Sequence, residues 1–229
     1  SLLGSGAFGD VLSCLDHKTN EIVAVKLVKD DERFHKACEN EIRILNIISK
    51  KSKYLISLER SFKFRGHDCM VFEQLNINLY QYLKKREYKP LEETYIRNIT
   101  RQILFGLSFL KEYKIIHGDL KPENIMFTDT DLYNIKIVDV GSSFMYETPS
   151  IYQTYVQTRW YRSPEVILGY PIDYKIDLWS FACILFELAD GKPIFTGKNV
   201  YCQIYRFYHY IGEPDQKFLN MCKCKDKYF

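Results

Sequence analysis

The polar side chains best suited to chemistry lie within residues 117–124. The run reads HGDLKPEN, so Asp119 precedes Lys121 by two positions and Asn124 by five, and Asp139 follows in a DVG triplet. A carboxylate can orient a hydroxyl nucleophile and accept its proton, while carboxylate and amide oxygens bind hard divalent cations. Asp119 is therefore predicted as the base of a phosphoryl transfer, with Lys121 as a positive charge beside the transferred group. Asn124 and Asp139 are the predicted metal ligands.

A glycine-rich run, GSGAFGDV at 4–11, precedes an apolar run, IVAVK, that ends at Lys26. Glycines let backbone amides close over the phosphates of a nucleotide. This glycine spacing alone is a weak signal, because dinucleotide-binding domains share it and many matches are plain turns. Here a β-rich segment ending in lysine follows instead of a helix, which favours a phosphate-covering loop.

Lys26 needs a carboxylate partner that holds it over the nucleotide phosphates. Glu41 lies in a segment whose apolar residues at 42, 45 and 48 follow helical spacing. Glu39 is the competing partner, and both carboxylates could be solvated helix charges. The residues alone leave this choice open.

Together these motifs resemble the eukaryotic protein kinases, and the resemblance runs from the first residue nearly to the last. Further runs resemble the dual-specificity tyrosine-regulated and homeodomain-interacting kinases of the CMGC group: SFKFRGH at 61–67, VFEQL at 71–75, NLY at 78–80, IVDVGSS at 137–143 and YVQTRWYRSPE at 155–165. The resemblance implies one α+β, bilobal kinase domain over 1–229. A small β-rich N-lobe with helix C and the hinge is expected over 1–75, and a larger helical C-lobe over 76–229. Related kinases continue beyond this point, so the C-lobe is expected to be truncated, as a fragment or as a shortened lobe.

The resemblance implies ATP and Mg²⁺ as cofactors, and it selects Glu41 as the partner of Lys26. It also assigns nucleotide contacts to the glycine-rich run, the strand that follows it and the hinge. These positions are Leu3, Gly4, Ser5, Gly6, Ala7, Phe8, Gly9, Val11, Ala24, Lys26, Phe72, Glu73 and Leu75.

The resemblance also implies a switch in the activation loop. In the related families, the tyrosine matching Tyr155 is phosphorylated by the kinase itself, and two arginines matching Arg159 and Arg162 hold the phosphate. Gly118 stands where most kinases carry an arginine that grips a phosphorylated loop, so that grip is absent. Tyr155 is predicted as the substitute switch. Val140 replaces the usual phenylalanine and leaves less apolar bulk under helix C.

Apolar periodicity predicts the main helices of the C-lobe. The segment Leu79–Lys85 follows the hinge, and an apolar helix begins at Asp177 and ends at Asp190 and Gly191. In kinases the aspartate matching Asp177 bonds the catalytic-loop backbone, although a simple helix-terminal charge is the alternative. A long amphipathic helix between these two uses Ile96, Ile99, Ile103, Leu107 and Leu110.

Composition limits the partners. With 229 residues, 46% of them hydrophobic, the chain can bury large cores. Its formal net charge of +3 is too small to indicate nucleic-acid or membrane binding. Seven cysteines without a CxxC pair indicate free thiols in a reducing compartment, so a cytoplasmic or nuclear location is expected. The catalytic domain is expected to be a monomer.

The predicted function is transfer of the ATP γ-phosphate to serine or threonine of protein substrates, with autophosphorylation on Tyr155. A nucleotide-binding scaffold without efficient phosphotransfer is the alternative, and the retained Lys26, Asp119, Asn124 and Asp139 argue against it. Phosphotransfer to small molecules is disfavoured by the peptide-substrate segment at 159–165.

Overall fold

A computed structural model describes residues 1–6, 8–147 and 156–228. Its strands are β1 (Leu2–Ser5), β2 (Gly9–Asp16), β3 (Glu21–Val28), β4 (Leu58–Phe64), β5 (His67–Glu73), β6 (Ile115–Ile116), β7 (Ile125–Phe127), β8 (Ile135–Ile137) and β9 (Phe144–Met145). Its helices are α1 (Glu32–Ile48), α2 (Leu79–Lys85), α3 (Glu93–Glu112), α4 (Pro164–Leu168), α5 (Lys175–Asp190), α6 (Val200–Ile211) and α7 (Gln216–Met221).

The N-terminal part is a five-stranded antiparallel sheet in the order β1-β2-β3-β5-β4, with α1 beside it. Helix α1 starts at Asp31, whose carboxylate accepts a hydrogen bond from the Arg33 amide and so caps the first turn. One stripe of the helix is buried: Cys38, Glu41, Ile44, Leu45 and Ile48. The predicted small β-rich lobe with helix C is confirmed.

The C-terminal part is built on α3, whose buried face includes Ile99, Ile103, Leu107 and Leu110, as the periodicity predicts. Ile96, the first residue of the predicted stripe, is half-buried. Gly106 lets α3 approach β8 closely, because a Cβ atom there would lie 2.7 Å from Ile137 Cδ1. The helical C-lobe is therefore confirmed, and its longest helix supports the short strands beside it.

Two ribbons, β6 with β9 and β7 with β8, hold the loops that carry the candidate residues. Strand β6 ends directly before residue 117, and β8 ends shortly before Asp139. The sequence places the segment Leu79–Lys85 after the hinge without predicting its secondary structure, and this segment forms helix α2. Helix α5 begins at Lys175, two residues before the predicted Asp177. Helix α5 ends at Gly191, whose φ of +84° suits glycine at a C-terminal cap. None of the described helices is both long and apolar enough to cross a membrane.

Candidate active site

The backbone of residues 117–124 is held by Asp177, which lies near the start of α5. Its carboxylate accepts the N–H of His117 at 2.7 Å and the N–H of Gly118 at 3.0 Å. Asp177 is 4% exposed, and burial raises the pKa of its carboxyl although the two N–H donors favour the charged form. The expected bond to the loop backbone is therefore present, and the alternative of a simple helix-terminal charge is wrong.

Asp119 lies beside a lysine and a hydroxyl group. Lys121 Nζ is 2.6 Å from Asp119 Oδ2. Thr158 donates both its N–H and its hydroxyl to Asp119 Oδ1, each at 2.8 Å, and Lys121 Nζ is 3.2 Å from Thr158 Oγ1. The carboxylate thus holds an alcohol of the chain in the way that it would hold the alcohol of an acceptor. Sequence reasoning missed Thr158, because a threonine within TRWYR carries no signal of such a contact.

Lys26 forms the predicted ion pair with Glu41. Its Nζ lies 2.7 Å and 2.9 Å from the two carboxylate oxygens of Glu41, and 3.4 Å from Asp139 Oδ1. Glu39, the competing partner, is exposed on the other side of α1. Burial acts to lower the pKa of Lys26, but the carboxylates of Glu41 and Asp139 outweigh it and raise the pKa. Lys26 is therefore held as a cation at the edge of this pair of carboxylates.

The two predicted metal ligands offer oxygen atoms of the kind that Mg²⁺ prefers. The side-chain amide nitrogen of Asn124 donates to the backbone oxygen of Asp119 at 2.9 Å, which leaves its side-chain oxygen for a cation. Burial acts to raise the pKa of Asp139, but Lys26, His117, the Gly141 N–H and Lys121 together outweigh it, so the pKa is lowered. The backbone of Asp139 has φ +59°, a strained conformation found at functional positions.

Among the described residues, no group of three or more His, Cys, Asp or Glu side chains could hold a metal alone. A site with one carboxylate and one amide fits Mg²⁺, which takes its remaining ligands from waters and phosphate oxygens.

A cleft of about 330 Å³ opens beside these groups, and its size and apolar lining fit a nucleotide base. Of the predicted nucleotide contacts, eight line it: Leu3, Gly4, Val11, Ala24, Lys26, Phe72, Glu73 and Leu75. Sequence reasoning missed six further lining residues: Leu45, Ile56, Asn78, Met126, Val138 and Val140. Met126 follows Asn124 by two positions, so the alternation of a strand after the loop could have indicated it.

Four predicted contacts, Ser5, Gly6, Phe8 and Gly9, do not line this cleft. The amide of Gly6 donates to the Gly9 oxygen at 2.9 Å and closes the turn on itself, while Ser5 donates its hydroxyl to Asp10. Phe8 packs edge-on against Phe34 of α1, with ring centroids 5.4 Å apart. A Cβ atom on Gly9 would lie 2.0 Å from the Leu27 oxygen, so glycine is needed there for strand pairing. Ala7 lies outside the described residues.

The predicted activation-loop residues are described only in part, because Tyr155 lies outside the described residues. Arg162 is buried, and its guanidinium donates to the backbone oxygens of Val156 at 2.9 Å and Gln157 at 2.6 Å. Arg159 donates to the backbone oxygen of Lys198 at 2.8 Å. The two arginines therefore contact different parts of the backbone, and Arg162 lies beside the residue that follows Tyr155.

Gly118 has a backbone conformation that other residues could adopt only with strain. Its φ is +76°, and a Cβ atom there would lie 2.8 Å from the backbone oxygen of Ser142. The Gly118→Ala change is expected to lower the free energy of unfolding by about 1–3 kcal/mol, because left-handed backbone costs alanine energy and Ser142 must shift. Urea denaturation measures this. Gly4→Ala is the matched control, since nothing lies within 4 Å of its added Cβ atom. An equal decrease in the free energy of unfolding of Gly118→Ala and Gly4→Ala would contradict the prediction.

Comparisons with known proteins agree with this geometry. A family described as Protein kinase domain matches residues 1–223. The chain is 41% identical over 231 residues to dual specificity tyrosine-phosphorylation-regulated kinase 4 of Homo sapiens, covering 99% of this chain and 44% of that protein. It is also 41% identical to serine/threonine-protein kinase ppk15 of Schizosaccharomyces pombe, and the match covers 99% of this chain and 43% of that protein. Dual specificity tyrosine-phosphorylation-regulated kinase 3 of Rattus norvegicus is 41% identical, and the match covers 100% of this chain and 39% of that protein. The chain thus spans less than half the length of these relatives.

Proposed function

The chain belongs to the protein kinase family, and from that premise we propose that it transfers the γ-phosphate of ATP to serine or threonine hydroxyls of protein substrates. The predicted resemblance to the dual-specificity tyrosine-regulated kinases of the CMGC group is confirmed by the relatives named above. The observation that carries the proposal is the contact of Asp119 and Lys121 with the hydroxyl of Thr158. It is the geometry that a kinase needs around an acceptor alcohol.

Each side chain has one part in the proposed reaction. Ala24 lines the cleft for the adenine base, and Lys26, held by Glu41, binds the phosphates. Asn124 and Asp139 would hold Mg²⁺, which neutralises charge on the phosphates when it is bound.

At the acceptor, Asp119 orients the hydroxyl and takes its proton as the oxygen attacks. Lys121 offsets the negative charge of the transferred group. Thr158 uses only Oδ1 of Asp119, and Oδ2, which accepts from Lys121, keeps acceptor capacity for an incoming substrate hydroxyl.

The scaffold alternative gains no support. Lys26 is paired with Glu41 and lies 3.4 Å from Asp139, all three line the cleft, and Asn124 bonds the backbone of Asp119. A kinase that binds nucleotide without transferring phosphate would not need this complete set. The relatives named above are also described as kinases.

We propose Tyr155 as the site of autophosphorylation. Arg162 supports this, because its guanidinium contacts the backbone immediately after that residue. A phosphate on Tyr155 would add charge-assisted hydrogen bonds to nearby guanidinium groups and order the segment. Gly118 offers no side chain to a phosphate elsewhere in the loop.

Protein made in bacteria is expected to carry phosphate on Tyr155, as measured by phosphopeptide mass spectrometry. An Asp119→Asn protein is expected to lack this phosphate, because the modification depends on the protein's own activity. Tyr155→Phe is expected to lower specific activity about tenfold, since the arginines lose their charged partner. Tyr152→Phe, three positions away, is the matched control. Full activity of Tyr155→Phe would exclude the switch without excluding kinase function.

A further inference from the structure

Helix α1 meets the sheet at two points on one sheet face. The strand pairing puts Lys26 opposite Met70, and Asp68 lies two residues before Met70 on β5. Asp68 therefore projects from the same face as Lys26, about 7 Å further along the strand. On α1, His35 and Glu41 are six residues apart, which is about 9 Å along the helix axis. The two distances are of similar size, and both side chains of the helix contact the sheet.

The second contact is a carboxylate–imidazole–carboxylate arrangement. His35 Nδ1 lies 2.6 Å from Asp68 Oδ2, and His35 Nε2 lies 3.1 Å from Asp30 Oδ1. The side chains of His35 and Asp68 are only 24% and 13% exposed, so solvent screens this pair incompletely. An imidazolium can donate from both ring nitrogens, which fits an acceptor on each side. The arrangement ties α1 to β5 and to the loop that precedes the helix.

The turn between β4 and β5 packs against the same cluster. Gly66 has φ +84°, and a Cβ atom there would lie 2.9 Å from Asp30 Oδ2. This glycine therefore lets the turn approach Asp30 closely. Asp68 also has Lys63 Nζ at 3.6 Å, but Lys63 is 75% exposed and contributes little. His35 is thus the group of α1 that joins these elements.

We propose that His35 and Asp68 are positioning residues of the kinase: they hold the N-terminal half of α1 on the sheet so that Glu41 reaches Lys26. The C-terminal half of α1 is anchored by Ile44, Leu45 and Ile48, which are at most 1% exposed. Without the histidine contact, the helix can pivot about that anchored half and carry Glu41 away from Lys26. The catalytic consequence rests on the proposed function, whereas the attachment itself does not.

The attachment should depend on pH. The Asp68 hydrogen bond, and then that of Asp30, raise the pKa of His35 above its ordinary value. The stabilisation is therefore fully present just below the ordinary pKa of histidine, where the two aspartates are ionised, and it is lost as pH rises through the folded-state pKa of His35. Asp30 in the preceding loop and Asp68 on β5 contact the ring, and Asp31 interacts with it electrostatically. Lys63 on β4 lies beside Asp68, and the charged residues of α1 within four positions of His35 are Glu32, Arg33, Lys36 and Glu39.

Cys38 reports the attachment directly, because it lies on α1 between His35 and Glu41 and is 2% exposed. Its thiol is free, and burial raises its pKa to about 11, so the docked helix shields it from alkylation. Cys183 on α5 is also buried and free, and it reports global unfolding. Alkylation by iodoacetamide is followed at each cysteine by peptide mass spectrometry.

His35→Phe is expected to speed alkylation of Cys38 about fivefold while that of Cys183 stays unchanged. His35→Arg is expected to restore protection, because it keeps a cation between Asp68 and Asp30. We compare the rate of Cys38 alkylation in the wild type with that in His35→Arg. The ratio of the two rates is expected to rise with pH, because only the histidine loses its charge. Lys36→Ala is the matched control, because Lys36 is an exposed cation next to His35 on α1.

Protection of Cys38 in His35→Phe equal to that in the wild type would overturn the proposal. If His35→Phe also exposes Cys183, the Asp68→Asn variant replaces it in the experiment. Asparagine keeps an acceptor atom at this position but removes the negative charge. Unchanged protection of Cys38 in Asp68→Asn would equally overturn the proposal.

Kinase assays separate this proposal from the proposed function. We expect His35→Phe to raise the KM for ATP more than it lowers kcat, because Lys26 is displaced before Asp119 is. If the wild-type protein transfers no phosphate, the proposed function is refuted. The alkylation rates of Cys38 would still show whether His35 and Asp68 attach α1 to the sheet.

Discussion

Asp119→Asn is expected to lower kcat about 10³-fold while the Kd for Mg–ATP changes less than about threefold. Asparagine keeps the shape of the side chain but cannot accept the proton of an acceptor hydroxyl. It also removes the negative charge that holds Lys121, whose Nζ lies 2.6 Å away. Lys26 and Asp139 are unchanged at the nucleotide end of the cleft, so binding persists. A quench-flow or peptide-phosphorylation assay measures kcat, and a fluorescent nucleotide titration measures the Kd.

Asp131→Asn is the matched control for that experiment. Asp131 is an exposed aspartate of the same lobe, and the change is expected to leave both constants within about twofold. Normal turnover in Asp119→Asn would show that another group accepts the proton. A large rise in its Kd for Mg–ATP would instead show that Asp119 contributes mainly to the nucleotide site.

Asp177→Ala is expected to lower the free energy of unfolding by about 3 kcal/mol. The buried amides of His117 and Gly118 lose their only acceptor in the described structure, and each unsatisfied donor is costly. Part of the loss is offset, because a desolvated carboxylate is also removed. The loop of residues 117–124 should shift with the lost bonds, so kcat is expected to fall as well. Chemical denaturation and a peptide assay measure the two effects.

Asp190→Ala provides the comparison at the other end of α5. Asp190 is exposed, and its replacement is expected to change stability by less than about 0.5 kcal/mol. A loss below about 1 kcal/mol in Asp177→Ala would mean that water or another group satisfies the two amides. In that case Asp177 would not be the anchor of the loop.

Much of the fold was predictable because its signals are local. The stripe Ile99, Ile103, Leu107 and Leu110 needs only a helical period and a core to pack against, and it is buried as predicted. Helix α5 begins two residues before its predicted start, because the first turn of a helix carries little periodicity.

The pairing of side chains was not local and could not be predicted in the same way. Glu39 and Glu41 are equivalent as residue types, and only the packing of α1 on the sheet buries one and exposes the other. Thr158 reaches Asp119 across 39 positions of the chain. His35 reaches Asp68 across 33 positions, through a strand register that has no signature in either segment.

The sequence by itself determined which residue types stand ready for phosphoryl transfer and which elements carry them, because motif spacing and apolar periodicity act over a few neighbouring residues. The resemblance also indicated that Lys26 pairs with Glu41 and that Asp177 bonds the loop backbone. Only the tertiary structure showed that Thr158 meets Asp119 and that His35 meets Asp68, because these contacts depend on how distant elements pack. That packing is set by the summed burial of the whole core, and no short run of residues records it.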